Sequence, residues 1–284
     1  MRWSWDPPRP AEDFVAMRAR VVGPGDGTGR GAIVLVHGLL ASNRYWDGHY
    51  DALATEGRRV VVPDLSGFGP ALRPAPSYGY RTQSECLLAL LDELDVHRPV
   101  VIGAHSFGCL VALQAAAARP DLVGGIVAFS PPLYSDRASA KSHIRHSGKM
   151  ARLGLADGPI AQAVCNWHCR HRDLARKLVP FIKPTLPRVV AADSAWHTWE
   201  SFRGALDSML TTNGNELVGG VVCPVDFVAG RDDATMEAGA LDAIGRMPER
   251  TLSWVAGGDH HLPMKHRELC IERLDSMWRL ADTR

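Results

Sequence analysis

A serine lies at the junction between an apolar, strand-like run and a helix-like run. The segment GAHSFGC (103–109) stands between the runs PVVI and LVALQAAAA. Small residues lie two positions before and two positions after Ser106, namely Ala104 and Gly108, as a crowded turn requires. The hydroxyl could cap the helix, or it could be a nucleophile on a strained strand-to-helix turn, the nucleophile elbow. Residues elsewhere in the chain favour the nucleophile.

A serine hydroxyl is a poor nucleophile at neutral pH and needs a general base. Two histidines, His260 and His261, follow the last predicted strand in the segment GGDHHLPM. The Gly-x-x-His spacing from Gly257 favours His260, and His261 stays as the alternative. Asp259 is not expected to orient His260, because adjacent side chains diverge.

The base needs an orienting carboxylate, which in elbow-type sites comes between the serine and the histidine in chain order. The segment VDFVAGRDDATM supplies Asp232 and Asp233 just after a predicted strand. The Gly-x-x-Asp spacing from Gly230 favours Asp233, with Asp232 as the alternative acid. Its role would be to accept a hydrogen bond from the imidazole Nδ1–H. Ser130 ends another predicted strand without an adjacent carboxylate, which argues against an acid there.

Acyl transfer also needs two N–H groups aimed at the tetrahedral oxygen, the oxyanion hole. One is expected from Phe107, directly after the serine, and the other from Leu39, in the loop LVHGLLAS after the strand GAIVLV. We interpret His37 as a hydrogen-bonded residue that shapes this loop. Substrate contacts are predicted for a further set of residues near these loops or in aromatic segments: Leu40, Trp46, His105, Trp196 and Trp199. The segment that holds Trp196 and Trp199 could line a substrate tunnel, but we favour an anchoring role.

Strand and helix patterns alternate on both sides of a central region. Apolar strand-like runs are predicted at 15–22, 31–36, 58–65, 99–105, 124–130, 223–230 and 251–257. Helical patterns are predicted near 51–56 and at 85–96, 107–119, 234–246 and 264–280. Nearly all-apolar strands that alternate with helices indicate a doubly wound, mostly parallel α/β sheet covered on both faces.

The central region, residues 133–216, has few strand patterns and moderate helical ones. Trp167, Trp196, Trp199 and Phe202 supply apolar anchors there, so we expect a packed helical cap rather than a linker. The predicted organisation is a core domain of residues 1–132 and 217–284 with an inserted helical cap of residues 133–216.

Five motifs in this order, LVHGLLAS, DLSGFG, GAHSFG, GRDD and GGDHH, resemble the α/β-hydrolase superfamily, in its single-glycine HG-x oxyanion class with a helical cap. The resemblance covers the chain on both sides of residues 133–216. It implies a doubly wound sheet, a Ser-His-Asp triad and no cofactor, and it does not imply a substrate. Haloalkane dehalogenases and most epoxide hydrolases of this fold carry aspartate as nucleophile, so serine at position 106 disfavours those reactions.

Six cysteines are scattered without the spacing of a disulfide framework, which is typical of buried free thiols. Cys165, His168, Cys169 and His171 lie within seven residues and raise the alternative of zinc. A helix would point these four side chains in several directions, and no second cluster in the sequence completes a site. We therefore predict no metal.

Composition excludes several classes of function. With 46% hydrophobic residues, 22% charged residues and a formal net charge of +1, the chain gives no reason to expect nucleic acid or a membrane as partner. No stretch approaches the ~18 apolar residues of a membrane span. The N-terminal MRWSWDPPRPAEDF lacks the apolar core of a signal peptide, so we predict a cytoplasmic protein.

The first hypothesis for function is a serine hydrolase that cleaves a carboxylic ester, thioester or lactone in a small-molecule substrate with an acyl group. A second hypothesis is a ligand-binding receptor or scaffold that retains the triad. A third is a C–C bond hydrolase, or an acyl-transfer or ring-forming enzyme, that uses the same machinery. The oligomeric state and the natural substrate are not predicted.

Overall fold

A seven-stranded sheet organises the computed structural model, which describes residues 17–23, 31–55, 57–146, 155, 158–182, 184 and 186–283. The strands are β1 (Ala19–Val22), β2 (Gly31–Val36), β3 (Arg58–Pro63), β4 (Val100–His105), β5 (Val123–Phe129), β6 (Val225–Gly230) and β7 (Arg250–Val255). Their order across the sheet is β1-β3-β2-β4-β5-β6-β7. β1 runs antiparallel to β3, and the other neighbours are parallel.

The helices of the described residues are α1 (Tyr80–Glu93), α2 (Phe107–Ala118), α3 (Arg137–His146), α4 (Pro159–Arg170), α5 (Arg172–Ile182), α6 (Arg188–Asp193), α7 (Trp199–Thr211), α8 (Gly214–Gly219), α9 (Ala238–Ile244), α10 (Leu262–Lys265) and α11 (Arg267–Asp282). Two short 3₁₀ helices, Asn43–Tyr45 and Gly48–Leu53, follow β2. None of these helices is both long enough and apolar enough to span a lipid bilayer.

Burial on both faces explains the apolar sequence of the central strands. Every residue of β2 to β6 is buried. One face packs against α1 and α2, and the other face packs against α11, which gives two apolar clusters separated by the sheet. The prediction of a doubly wound, mostly parallel α/β sheet is confirmed, and the division into a core and an inserted helical cap stays a prediction.

The differences between predicted and observed elements lie at their ends. α1 begins at Tyr80, earlier than the apolar pattern that starts at residue 85, because the first turn carries polar residues. The predicted terminal helix is divided into α10 and α11 at His266, whose φ of -122° and ψ of 50° leave the helical region. Residues 15–16 of the predicted first strand and the N-terminal segment 1–14 lie outside the described residues.

The helices α3 to α8 lie between β5 and β6 in the chain, within the region predicted as a cap. α7 packs against α1 and α2 of the core. A second link runs through Asp193 at the end of α6, which accepts hydrogen bonds from Ser42 (2.6 Å) and Arg44 (2.8 Å) in the loop after β2. The exact domain boundaries, at 132–133 and 216–217, stay a prediction.

Candidate active site

Ser106 occupies a sharp turn between the end of β4 and the start of α2. Its φ of 52° and ψ of -124° are strained for a residue with a side chain. Its backbone N–H donates to the carbonyl of Phe129, the last residue of β5, at 3.0 Å. The side chain makes no capping hydrogen bond to the helix. The strained turn therefore presents the hydroxyl away from the helix backbone.

Two glycines allow the backbone to close around this turn. A Cβ on Gly108 would lie 2.6 Å from the carbonyl oxygen of His37, a contact that real side chains do not make. A Cβ on Gly38 would lie 2.9 Å from the Cβ of Ser106. The loop after β2 and the serine turn thus approach each other more closely than any larger residue would allow.

His260 connects the serine to a buried carboxylate. Its Nε2 lies 3.1 Å from Ser106 Oγ, and its Nδ1 lies 2.8 Å from Asp233 Oδ2. The three residues come from the ends of β4, β7 and β6, which meet at the carboxyl edge of the sheet. The Asp233 carboxylate is buried, whereas the imidazole is half-buried. This arrangement can take a proton from the hydroxyl and stabilise the resulting imidazolium.

Thr235 is a part of this network that the sequence analysis missed. Its backbone N–H and its hydroxyl both donate to Asp233 Oδ1, at 2.9 Å and 2.6 Å. The hydroxyl also lies 3.0 Å from His260 Nδ1. A hydroxyl residue two positions after an aspartate is a common side-chain turn, so the segment DDAT contains the signal. Thr235 fixes the orientation of the carboxylate towards the imidazole.

The environment of Asp233 favours its charged form. Burial by itself raises the pKa of this carboxyl. Hydrogen bonds and charge attraction from His260, with hydrogen bonds from Thr235, outweigh burial and hold the pKa of Asp233 well below its ordinary value. The carboxylate therefore stays ionised, as an acceptor for the imidazole N–H must be.

The alternative acid and base do not occupy these positions. Asp232 is exposed. His261 packs its ring near Tyr45, and burial lowers its pKa to about 4. Asp259 accepts a hydrogen bond from the backbone N–H of His261 at 3.0 Å and pairs with Lys265. The carboxylate that bonds to the His260 ring is that of Asp233.

His105 is placed differently from the substrate contact predicted for it. The side chain is buried, and its ring stacks on Tyr45 with centroids 4.5 Å apart. Its Nε2 lies 2.7 Å from the carbonyl oxygen of His260. Burial lowers its pKa well below the ordinary value, so the ring is neutral and its N–H can donate to this carbonyl. In this position His105 supports the backbone of His260, and its contact with a substrate stays a prediction.

The loop after β2 is held by His37. Its Nδ1 donates to the carbonyl of Gly38 at 2.8 Å, and its Nε2 accepts from the Leu65 N–H at 3.0 Å. Burial lowers the pKa of His37 to about 4, which keeps the ring neutral and both bonds intact. Leu39 and Leu40 follow, both half-buried, and Leu40 has a φ of 58°. These two hydrogen bonds explain how His37 shapes the loop, the role predicted for it from the sequence.

The aromatic residues predicted to contact substrate lie in packed surroundings. Trp46 is 0% exposed and packs edge-on against Tyr50, so the structure places it in the core, and its contact with a substrate stays a prediction. Trp196 is half-buried beneath the guanidinium of Arg176 of α5 at 5.1 Å. Trp199, at the start of α7, lies near Phe202. Both tryptophans therefore contact other residues of the predicted cap, which favours the anchoring role over the tunnel.

The four residues considered as zinc ligands do not form one group. In the described part of the chain, the cluster of possible ligand atoms consists of Cys165, Cys169 and His197. His168 and His171 are outside this cluster. The sequence analysis missed His197 because it lies 28 residues after Cys169 in the chain, on a different segment. This cluster lies in the region predicted as a cap, on segments other than those that carry Ser106, His260 and Asp233.

A family model described as "Alpha/beta hydrolase family" matches residues 33–273. Among curated proteins, a probable lysophospholipase BODYGUARD 5 from Arabidopsis thaliana is 25% identical over 281 residues. This match covers 88% of the chain but 62% of that relative, so the chain spans less than two thirds of its length. A haloalkane dehalogenase from Mycolicibacterium paratuberculosis is 26% identical over 263 residues, with 82% of the chain and 85% of the relative covered.

Solved structures share the fold at low sequence identity. A thermophilic esterase from Thermogutta terrifontis superimposes with a TM-score of 0.68 at 19% identity, and the match covers 93% of each chain. At this identity the likeness is evidence for the fold alone.

Proposed function

The chain belongs to the alpha/beta hydrolase family, and within it we propose that the protein is a serine hydrolase. Its substrate class is a carboxylic ester, thioester or lactone in a small molecule. The observation that carries this proposal is the hydrogen-bonded series Ser106–His260–Asp233, with distances of 3.1 Å and 2.8 Å. Related reactions of the fold that use an aspartate nucleophile are disfavoured by the serine at position 106.

In the first half of the reaction, the Ser106 oxygen attacks the substrate carbonyl while His260 Nε2 takes the hydroxyl proton. Asp233 stabilises the imidazolium that forms. The carbonyl electron pair moves onto oxygen, which the amides of Leu39 and Phe107 would hold. The Phe107 N–H is available because the first N–H groups of a helix have no intrahelical partner. The tetrahedral species collapses to an acyl-serine, and the leaving group departs with the proton from His260.

In the second half, His260 takes a proton from water, which attacks the acyl carbonyl. Collapse of the second tetrahedral species returns the proton to Ser106 and releases the acid. The N-terminus of α2 behind Ser106 favours the negative charge that develops at this place.

The test is turnover of a short activated ester by the purified protein and by the variant Ser106→Ala. We expect kcat/KM to fall by roughly 10³-fold or more, because a triad acts as a unit and little catalysis survives without its nucleophile. Ser130→Ala is the matched control, since Ser130 directly follows the neighbouring strand β5, has a φ of 49° and is buried. Its activity should stay within about threefold of the parent protein, because the mechanism does not use it.

Turnover that survives in Ser106→Ala in a clean preparation contradicts the proposal. A single slow turnover that leaves the product bound would instead favour the receptor hypothesis over the enzyme.

A further inference from the structure

A compact group of metal-binding side chains lies in the cap. Cys165 and Cys169 are one helical turn apart on α4, with their Sγ atoms 3.9 Å apart. His197, in the loop between α6 and α7, brings its Nε2 to 3.2 Å from Cys165 Sγ. All ligand atoms of the three residues lie within 4.8 Å of one another. Two segments of the chain thus supply possible ligands to one point.

The spacing of these atoms matches a tetrahedral zinc ion. With Zn–S bonds of about 2.3 Å and a Zn–N bond of about 2.05 Å, tetrahedral geometry separates two sulfurs by about 3.8 Å and a sulfur from a nitrogen by about 3.6 Å. The separations of 3.9 Å and 3.2 Å differ from these values by a few tenths of an ångström, and the third separation, between Cys169 and His197, is at most 4.8 Å. Small side-chain rotations would accommodate an ion.

The imidazole of His197 is already oriented as a ligand. Its Nδ1 lies 2.8 Å from the carbonyl oxygen of Ser194, to which it can donate. This bond leaves the lone pair of Nε2 directed at the cysteines, and a backbone carbonyl in this place is typical of metal-ligating histidines. The ring is buried, and Arg172 donates to the His197 carbonyl at 3.2 Å, which holds the loop.

We propose that Cys165, Cys169 and His197 bind a Zn²⁺ ion, with water as the fourth ligand. The two thiols release their protons to solvent when the ion binds, because thiolate is the ligand form. Partial exposure of Cys165 leaves a path for the ion and for the water. The proposal does not depend on the proposed hydrolase activity.

Such an ion would tie the outer cap to the core. His197 lies four residues after Asp193, which is bonded to Ser42 and Arg44 of the core. Zinc would connect α4 to this anchored loop by strong bonds. The expected consequence is a more stable cap rather than a new reaction.

The first experiment titrates the reduced, tag-free full chain with Co²⁺. Thiolate ligands of Co²⁺ give a charge-transfer band in the near ultraviolet. Zn²⁺ is then added to displace the Co²⁺. We expect one equivalent of Co²⁺ with two thiolate ligands, and bleaching of the band by Zn²⁺. Absence of the thiolate band in the folded protein overturns the proposal, and this result needs no variant.

The second experiment compares variants by the same titration. We expect Cys165→Ser, Cys169→Ser and His197→Gln each to weaken Zn²⁺ binding at least about tenfold, as the loss of one ligand should. The matched controls are His171→Gln, in the same segment, and Cys223→Ala, elsewhere in the chain, and both should bind as the parent does. Equal binding by ligand and control variants overturns the proposal.

Thermal melts test the proposal through the stability of the protein instead of through metal ligation. At Zn²⁺ about 100-fold above the Kd of the parent, we expect the melting temperature of the parent to rise by roughly 4 °C or more, and that of Cys169→Ser to rise by no more than about half as much. An equal rise in both proteins would show binding elsewhere and would contradict the assignment.

Discussion

The two ring nitrogens of His260 face different residues, and this asymmetry determines what each neighbour can do. Nε2 faces Ser106, so it can accept the hydroxyl proton, and Nδ1 faces Asp233. Thr235 and His105 hold this arrangement from two sides, one through the carboxylate and the other through the His260 carbonyl. The proposed base is therefore fixed in position by contacts that do not themselves touch a substrate.

The pair of adjacent aspartates provides a direct test at this scale. We expect Asp233→Asn to lower kcat roughly 10³–10⁴-fold on an activated ester, because the amide cannot neutralise the imidazolium. Asp232→Asn changes the same chemical group one residue away, at an exposed position, and should keep activity within about twofold. Steady-state kinetics of both variants measures the difference. A large loss of activity in Asp232→Asn, or little loss in Asp233→Asn, would contradict the assignment of Asp233 as the acid of the triad.

At the scale of elements, two loops meet at the serine. The loop after β2 passes so close to the turn before α2 that Gly38 has no room for a side chain. The same loop lies between Asp64, which follows β3, and Asp193, which ends α6. A small displacement of this loop would move the Leu39 amide relative to the serine.

We expect Gly38→Ala to lower kcat/KM by roughly 10–100-fold, since a new Cβ 2.9 Å from Ser106 Cβ must push the loop away. The matched control is Gly239→Ala in α9, where an added Cβ meets no atom within 4 Å. That variant should retain full activity and be slightly more stable, because alanine favours helix. Kinetics and thermal melts of both proteins test this, and an unaffected Gly38→Ala enzyme would exclude a role for close loop approach.

The buried carboxyl of Asp64 should make this junction sensitive to pH. Burial, with a smaller contribution from the charge of Asp193, raises its pKa from an ordinary 3.8 to about 6, against a hydrogen bond from the Asn43 N–H and the charge of Arg18. Because the folded state binds this proton more tightly than the unfolded chain, its stabilising effect is present below about pH 4 and is lost as pH rises through about 6.

We therefore expect the unfolding free energy of Asp64→Asn, relative to the parent, to increase from about pH 4.5 to about pH 7.5, by at most roughly 3 kcal/mol. Urea unfolding at the two pH values measures this change, and the exposed Asp232→Asn serves as the control that should show none. If the stability of Asp64→Asn relative to the parent stays constant or falls as pH rises, the raised pKa of Asp64 is contradicted.

At the scale of the whole molecule, the parallel sheet unites residues that are far apart in the chain. Ser106, Asp233 and His260 follow strands whose carboxyl ends share one edge, so strand patterns and chain order were enough to predict their meeting. Alternating apolar runs likewise predicted the sheet, because strands buried on both faces have few alternatives to apolar residues. Ser106, His260 and Asp233 could be predicted as site residues because their positions follow from the strand pattern and the chain order.

Side-chain contacts between segments that are distant in the chain could not be predicted from the sequence. Nothing in the pattern around Trp46 distinguishes a pocket wall from a core residue, because both environments favour an aromatic ring. His197 joins Cys165 only because the cap helices fold back on each other, and no local signal reports that approach. Thr235 differs, since its turn with Asp233 is local and could have been predicted.

The central claim is that Ser106 is an activated nucleophile, and covalent labelling tests it most directly. A fluorophosphonate should modify the folded protein at one site, and peptide mapping by mass spectrometry should locate the adduct on Ser106, with labelling lost in Ser106→Ala and kept in Ser130→Ala. A folded parent protein that stays unlabelled, or an adduct located on another residue, would contradict the account.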